Sequence, residues 1–244
     1  MSNIAISPKI HNDCYELSEN GTQWKQTKNI SLSSVRMFGS SVLLNRNMVR
    51  VSGGSDGLNS ALATSDISNE NGIFKPSVRL PEPLVYLCIA NINETHLFIA
   101  GNSFGTRKQT FVVDISVNPF KFLTLPPMLI EREGAACVTI IREEDVKLFV
   151  GGGEPSYGTT EFYNVQKVNW ERGPNLPRGY QFGSCVNYPD SRGFLVIGGM
   201  NNSYNIVPDI MRYDPELNEF EYLPVELNTP RTDFGAVLIG KGEC

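Results

Sequence analysis

Four hydrophobic runs in this chain end on a pair of small residues: "MVRVSGG", "HLFIAGN", "KLFVGGG" and "GFLVIGG". Counted at Gly53, Ala100, Gly151 and Gly198, these pairs lie 47, 51 and 47 residues apart. The unit from Arg178 to Pro230 shows what lies around each pair. "FGSCVNY" (182–188) is short with small residues at its centre, and "GFLVIGG" (193–199) is almost continuously apolar. "DIMRYDP" (209–215) and "EFEYLP" (219–224) alternate between apolar and polar, and turn residues separate all four runs. This pattern predicts a four-stranded antiparallel meander. No segment combines a sustained 3.6-residue apolar period with helix caps, so no long helix is expected. A period near fifty with a small-residue pair at a fixed place predicts a β-propeller.

The residue types suit wedge-shaped blades. An innermost strand crowded round an axis needs small side chains, and "GSSV" (39–42), "GAACV" (134–138), "GSCV" (183–186) and "GAVL" (235–238) supply them. The second strand, buried on both faces, is unbroken Val, Ile, Leu and Phe. The glycines that end it allow positive φ and close approach of the next blade. They are Gly53, Gly54, Gly101, Gly151, Gly152, Gly198 and Gly199. Trp24, Phe74, Phe120, Trp170 and Phe220, carried by the outer strands, are expected to pack between blades.

An Arg before Gly-small-small, an apolar strand ending in Gly-Gly, then Tyr, then Trp resembles the kelch repeat. Unit three carries Arg132, "GAACV", "LFVGG", Tyr163 and Trp170; unit four carries Arg178, "GSCV", "LVIGG" and Tyr213-Asp214, with Phe220 in place of Trp. Unit two departs, with Ala100 for the first Gly and Val113 near the Tyr position, and unit one has Asp66 and Phe74 for Tyr and Trp. Neither the Trp-Asp dipeptide nor the Gly-His start of WD40 repeats occurs. The resemblance implies an all-β, kelch-type propeller of four-stranded antiparallel blades spanning 1–244. Blades are expected at 31–82, 83–129, 130–177 and 178–230. A fifth, composite blade would join 1–30 to 231–244, with "NIAIS" (3–7), "CYEL" (14–17) and "TQWKQ" (22–26) beside "FGAVLIG" (234–240). The alternative is a piece of a six-bladed ring.

Composition narrows the function. The net charge is −5 with no basic run, which argues against nucleic acid. No apolar stretch approaches the roughly 18 residues of a membrane span, and the first residues do not read as a signal peptide. Five cysteines (14, 88, 137, 185, 244), odd in number and without CxxC spacing, argue against a disulfide framework and a zinc site. A cytoplasmic protein is expected. Cys88, Cys137 and Cys185 fall at equivalent inner-strand positions, where small buried residues are needed.

The two histidines, His11 and His96, fall in different units, and no nucleophile–His–carboxylate arrangement can be placed. The paired acids Glu131–Glu133, Glu143-Glu144-Asp145 and Glu154 with Glu161 have no fixed catalytic separation. No enzyme, cofactor or metal is expected. In kelch-like propellers, partners bind the loops that lead into the first strand and those that follow the diglycine. Here the first set carries Arg36, Arg132, Arg178, Tyr180 and Arg231, and the second carries Asn102, Ser103, Glu154, Tyr157, Asn201, Asn202 and Tyr204. Four arginines at one repeat position would ring the mouth and suit an acidic peptide, unless each braces the neighbouring blade. The expected function is a non-catalytic protein-interaction module. The alternative is a carbohydrate-binding or sugar-isomerising propeller.

Overall fold

The computed structural model describes the chain except residues 1–12, 18–23, 35, 46–47, 57–59, 69–72, 78, 104, 118–119, 143–144, 188–192 and 237–244. It is all-β among the described residues. Blade I comprises β3 (Ser40–Asn45), β4 (Met48–Ser52), β5 (Ser65–Ser68) and β6 (Phe74–Pro76). Blade II comprises β7 (Cys88–Asn91), β8 (His96–Ala100), β9 (Thr110–Asp114) and β10 (Lys121–Thr124). Blade III comprises β11 (Ala136–Arg142), β12 (Asp145–Gly151), β13 (Thr160–Asn164) and β14 (Asn169–Arg172). Blade IV comprises β16 (Ser184–Asn187), β17 (Phe194–Ile197), β19 (Ile210–Asp214) and β20 (Glu219–Tyr222), with a short ribbon of β15 (Tyr180–Gln181) and β18 (Met200–Asn201) at its inner end. Each blade is an antiparallel meander. The inner strands β3, β7, β11 and β16 stand side by side in that order. This is a β-propeller arrangement.

Between blades the core is apolar. Phe98, Leu148, Val150 and Trp170 fill the space between II and III, and Trp170 Nε1 donates to the Pro126 carbonyl at 2.8 Å. Phe149, Phe194, Tyr213 and Phe220 stack between III and IV.

Where each lead-in loop reaches its inner strand, one residue takes a left-handed conformation: Phe38, Tyr86, Gly134, Phe182 and Asp233, with φ between 55 and 67°. These residues are bonded into a belt. The N–H of Tyr86 donates to the Phe38 carbonyl, Gly134 to Tyr86, Phe182 to Gly134 and Asp233 to Phe182, at 2.7–3.3 Å. A second set of bonds ties each blade to the next. The residue after the first left-handed glycine donates to the carbonyl two positions before the next belt residue: Gly54 to Leu84, Asn102 to Arg132, Gly153 to Tyr180 and Gly199 to Arg231. Glycine is needed because a Cβ at Gly53 would lie 2.5 Å from the Leu84 oxygen, and at Gly152 2.4 Å from that of Tyr180.

This register corrects two repeat positions. In unit three the left-handed pair is Gly152-Gly153; Gly151 ends β12, so the triple glycine shifts the echo by one residue. In unit two Ala100 ends β8, and Gly101 itself takes the first left-handed position.

The stretch from Arg231 to Ala236 repeats the contacts of a fifth lead-in. Besides the belt bond of Asp233, Ala236 N donates to Ser184 Oγ, and the added Cβ of Gly235 would face Ser41 Oγ at 3.9 Å. It therefore stands between the inner strands of blades IV and I. Near the N-terminus β1 (Asp13–Leu17) pairs with β2 (Trp24–Ser31), as the third and fourth strands of a composite blade would. "NIAIS" and all but the start of "FGAVLIG" lie outside the described residues.

The cysteine reading is corrected too. Cys88 and Cys137 form a disulfide across the inner strands of blades II and III, with Cα atoms 5.8 Å apart. They are not equivalent. Cys88 stands two residues after its belt residue and Cys137 three after, and on a strand one residue reverses the face. Cys137 thus looks back at blade II while Cys88 looks forward at blade III. Cys185, three after Phe182, faces blade III and is free. The absence of a disulfide can no longer support a cytoplasmic placement. No described helix is long and apolar enough to cross a membrane.

Candidate functional site: the channel mouth and its rim

The lead-in and post-diglycine loops meet at one end of the ring. Met37 bridges Ser55, Glu133 bridges Glu154, Gln181 pairs with Met200, and Ser103 N donates to the Val85 carbonyl. Below this end lies a central cavity of about 1030 Å³, lined by the inner strands and by Asp233–Ala236.

The arginines do not ring its mouth. Aligned on the belt residue, the position two before it holds Arg36, Leu84, Arg132, Tyr180 and Arg231, so Arg178 is not a member of the set. Arg132 is fully buried. Its Nη1 donates to the carbonyls of Gly152 and Thr159 at 2.7 and 2.8 Å, and its Nη2 and Nε reach Glu161 Oε1 at 3.0 and 3.2 Å. Arg36 repeats this with Gly53 O, Thr64 O and Asp66, and 3 % of its side chain is exposed. Both fasten a lead-in loop to the diglycine turn of their own blade. Arg178 is half-exposed but paired with Asp209 at 2.5 Å on the flank of blade IV. Arg231 is exposed, with its guanidinium over the Phe234 ring.

Two further expected rim residues are also interior. Tyr180 is buried, its ring against Gly152, Gly183 and Gly199. Asn102 is buried and accepts from Val85 N. The basis for an acidic partner falls with these corrections.

Other residues do come together. The Tyr157 phenol is hydrogen-bonded to Tyr204, and burial, that bond and the charge of Glu154 push it up to about 12. Tyr204 is 66 % exposed and left-handed at φ 61°. Asn201 holds it there, accepting from Ser203 N and Asn205 N in an Asx turn. Asn202 is exposed, and it and Tyr157 approach each other over Gly179. Tyr157, Asn202 and Tyr204 thus form one patch from two blades, with Glu154 and Glu133 beside it.

The mouth itself is aromatic, a feature that reading by glycine and arginine positions missed. Phe38 and Tyr86 have ring centroids 4.5 Å apart, and Tyr86 and Phe182 4.8 Å. The Phe182 ring lies over Gly134, where a Cβ would meet it at 2.2 Å. A left-handed backbone costs a bulky residue about 1–2 kcal/mol. Burial and the charges of Asp233 and Glu133 raise the Tyr86 phenol above its ordinary value. Glu133 is paired with Arg107 at 3.3 Å. Burial raises the Asp233 carboxyl against a weaker opposing bond from Thr232. The sequence signal was available: positions 38, 86, 134 and 182 recur every 48 residues as Phe, Tyr, Gly, Phe.

Among the described residues no group of three or more His, Cys, Asp or Glu side chains could hold a metal ion. No protein-family model and no curated protein matches the chain. Solved structures do: 243 chains match. The structure of YjhT superposes with a TM-score of 0.71 at 12 % identity, over 87 % of this chain and 76 % of that one. At that identity the likeness is one of fold. The kelch resemblance rests on the repeat residues alone.

Proposed function

We propose that the chain is a non-catalytic protein-interaction module that holds a peptide or protein loop against the rim at the channel mouth. The observation that carries this reading is the Tyr157–Tyr204–Asn202 patch. Rigid aromatics with an amide beside them give contact area at low entropic cost, and tyrosine is enriched at binding hot spots. Tyr204 takes the left-handed position of the hairpin turn closed by Asn201 and Asn205, and from there its ring stands exposed beside Tyr157. The test is selection of a random-peptide display library on the immobilised protein. Selected peptides should bind the wild type and lose at least about 2 kcal/mol with Tyr204→Ala. Peptides that bind Tyr204→Ala and Tyr157→Ala as well as wild type would remove the rim from the account.

The carbohydrate reading keeps one specific support, the adjacent carboxylates Glu133 and Glu154 beside Tyr157. A sugar or sugar acid at 100 times its dissociation constant would stabilise the fold by about 2.7 kcal/mol. A thermal-shift screen without any such gain counts against it.

A further inference from the structure

Gly134 occupies the belt position of blade III without strain, yet blades I, II and IV place Phe38, Tyr86 and Phe182 there with positive φ. The strain is kept where the three half-buried rings line the opening of the cavity. The fifth belt residue is Asp233, and among the described residues no cation pairs with its carboxylate, which accepts from the Thr232 hydroxyl at 3.1 Å. A cluster of packed aromatic rings with one carboxylate on its edge suits recognition of an organic cation.

We infer that the mouth is a cation-recognition site taking a basic side chain, arginine above all, from a partner protein. This rests on the protein-interaction reading and names the anchor of that interaction. The planar guanidinium lies against the aromatic rings while Asp233 accepts its N–H groups. Arginine suits such a site better than lysine because it stacks and donates in a fork. Arg231, exposed and two residues before Asp233, is engaged elsewhere, with Nε on the Thr229 carbonyl and its guanidinium over Phe234. Glu133, paired with Arg107, adds negative potential at Tyr86. The cavity beneath is large enough for a side chain.

The experiment titrates the protein with the capped peptide Gly-Arg-Gly, its citrulline analogue and Gly-Glu-Gly, followed by tyrosine fluorescence and NMR. The arginine peptide should bind saturably and at least about tenfold more tightly than the citrulline peptide, the margin of one charge-assisted bond. Asp233→Asn should remove that margin while keeping the turn, since asparagine tolerates the left-handed region. Tyr86→Leu, with its melting temperature checked, should weaken the arginine peptide as well. Equal binding of arginine and citrulline, no binding of either, or no effect of Asp233→Asn overturns the inference. If display selection yields peptides without basic residues that depend on Tyr204 but not Asp233, the interaction reading stands and this inference falls. If it yields no binders, both fall.

Discussion

Blades I and III fasten their lead-in loops with ions; blades II and IV do the same with apolar side chains. Arg36 meets Asp66 and Arg132 meets Glu161, each carboxylate being the second residue of its third strand. In blade II those two positions hold Leu84 and Phe111, in one hydrophobic cluster; in blade IV they hold Tyr180 and Met211, in another. A third position changes with them. The carboxylates also accept backbone N–H groups, Ser33 N on Asp66 and Leu129 N on Glu161, five residues before the belt. In blades II and IV that position holds Pro81 and Pro177, which have no N–H to satisfy. Each blade therefore carries a consistent three-residue unit: Arg, acid and an N–H, or apolar, apolar and Pro. A buried ion pair is no stronger than good apolar packing, but half of one is a liability. In blades I and III the repeat arginine is thus a fastening, and the recurrence of arginine there says nothing about a ligand.

The largest expected effect comes from breaking one unit. Glu161→Phe leaves Arg132 buried without its anion and two N–H groups without an acceptor. It should cost about 3–5 kcal/mol in urea unfolding, whereas Met211→Ala in the apolar unit of blade IV should cost about 2–4 kcal/mol as an ordinary cavity. A second test exploits the repeat. Ala136 and Cys185 hold the positions in blades III and IV that Cys88 and Cys137 hold in blades II and III. Ala136→Cys should therefore form a second cross-blade disulfide, seen as the loss of two hydrogens by mass, with a gain of about 2 kcal/mol.

Arg50 sharpens the contrast within the ionic blades. It stands where Phe98 and Phe149 stand in blades II and III, three residues before the first left-handed glycine. It is buried, bonded to Ser52 and Ser65 hydroxyls and set over the Phe120 ring, with no hydrogen-bond partner for Nη1 among the described residues. Burial lowers its guanidinium to about 10. The folded state then binds fewer protons than the unfolded one between pH ~10 and ~12.5, so stability rises with pH there and the charge is a burden at neutral pH. Arg50→Met should raise stability by about 1–2 kcal/mol. The smallest effect is at Asp233, whose raised carboxyl means that stability falls as pH rises from its ordinary value through the folded one. Asp233→Asn should raise the melting temperature slightly at pH 7 and leave it unchanged at pH 3.

The meanders and the second strands were legible because burial on both faces writes an unbroken apolar run. The glycine register was off by one in unit three because three consecutive glycines hide which two are left-handed. The site was harder. Aligning on arginine placed Arg178 beside Arg132, although Arg178 lies four residues before its belt residue and Arg132 two before. Whether an arginine is a brace or a rim depends on a carboxylate some 30 residues away, and only pairing of Asp66 and Glu161 with the arginine column would have shown it. The disulfide was illegible for a similar reason, since a one-residue offset decides which blade a cysteine faces.

The most direct test exchanges the whole unit. Leu129→Pro, Arg132→Leu and Glu161→Phe together give blade III the chemistry of blade II. This variant should recover most of the stability lost by Glu161→Phe alone and keep the affinity of rim-selected peptides within about threefold of wild type, less than a hot-spot loss. A folded triple variant that no longer binds those peptides would contradict the division between bracing arginines and a binding mouth.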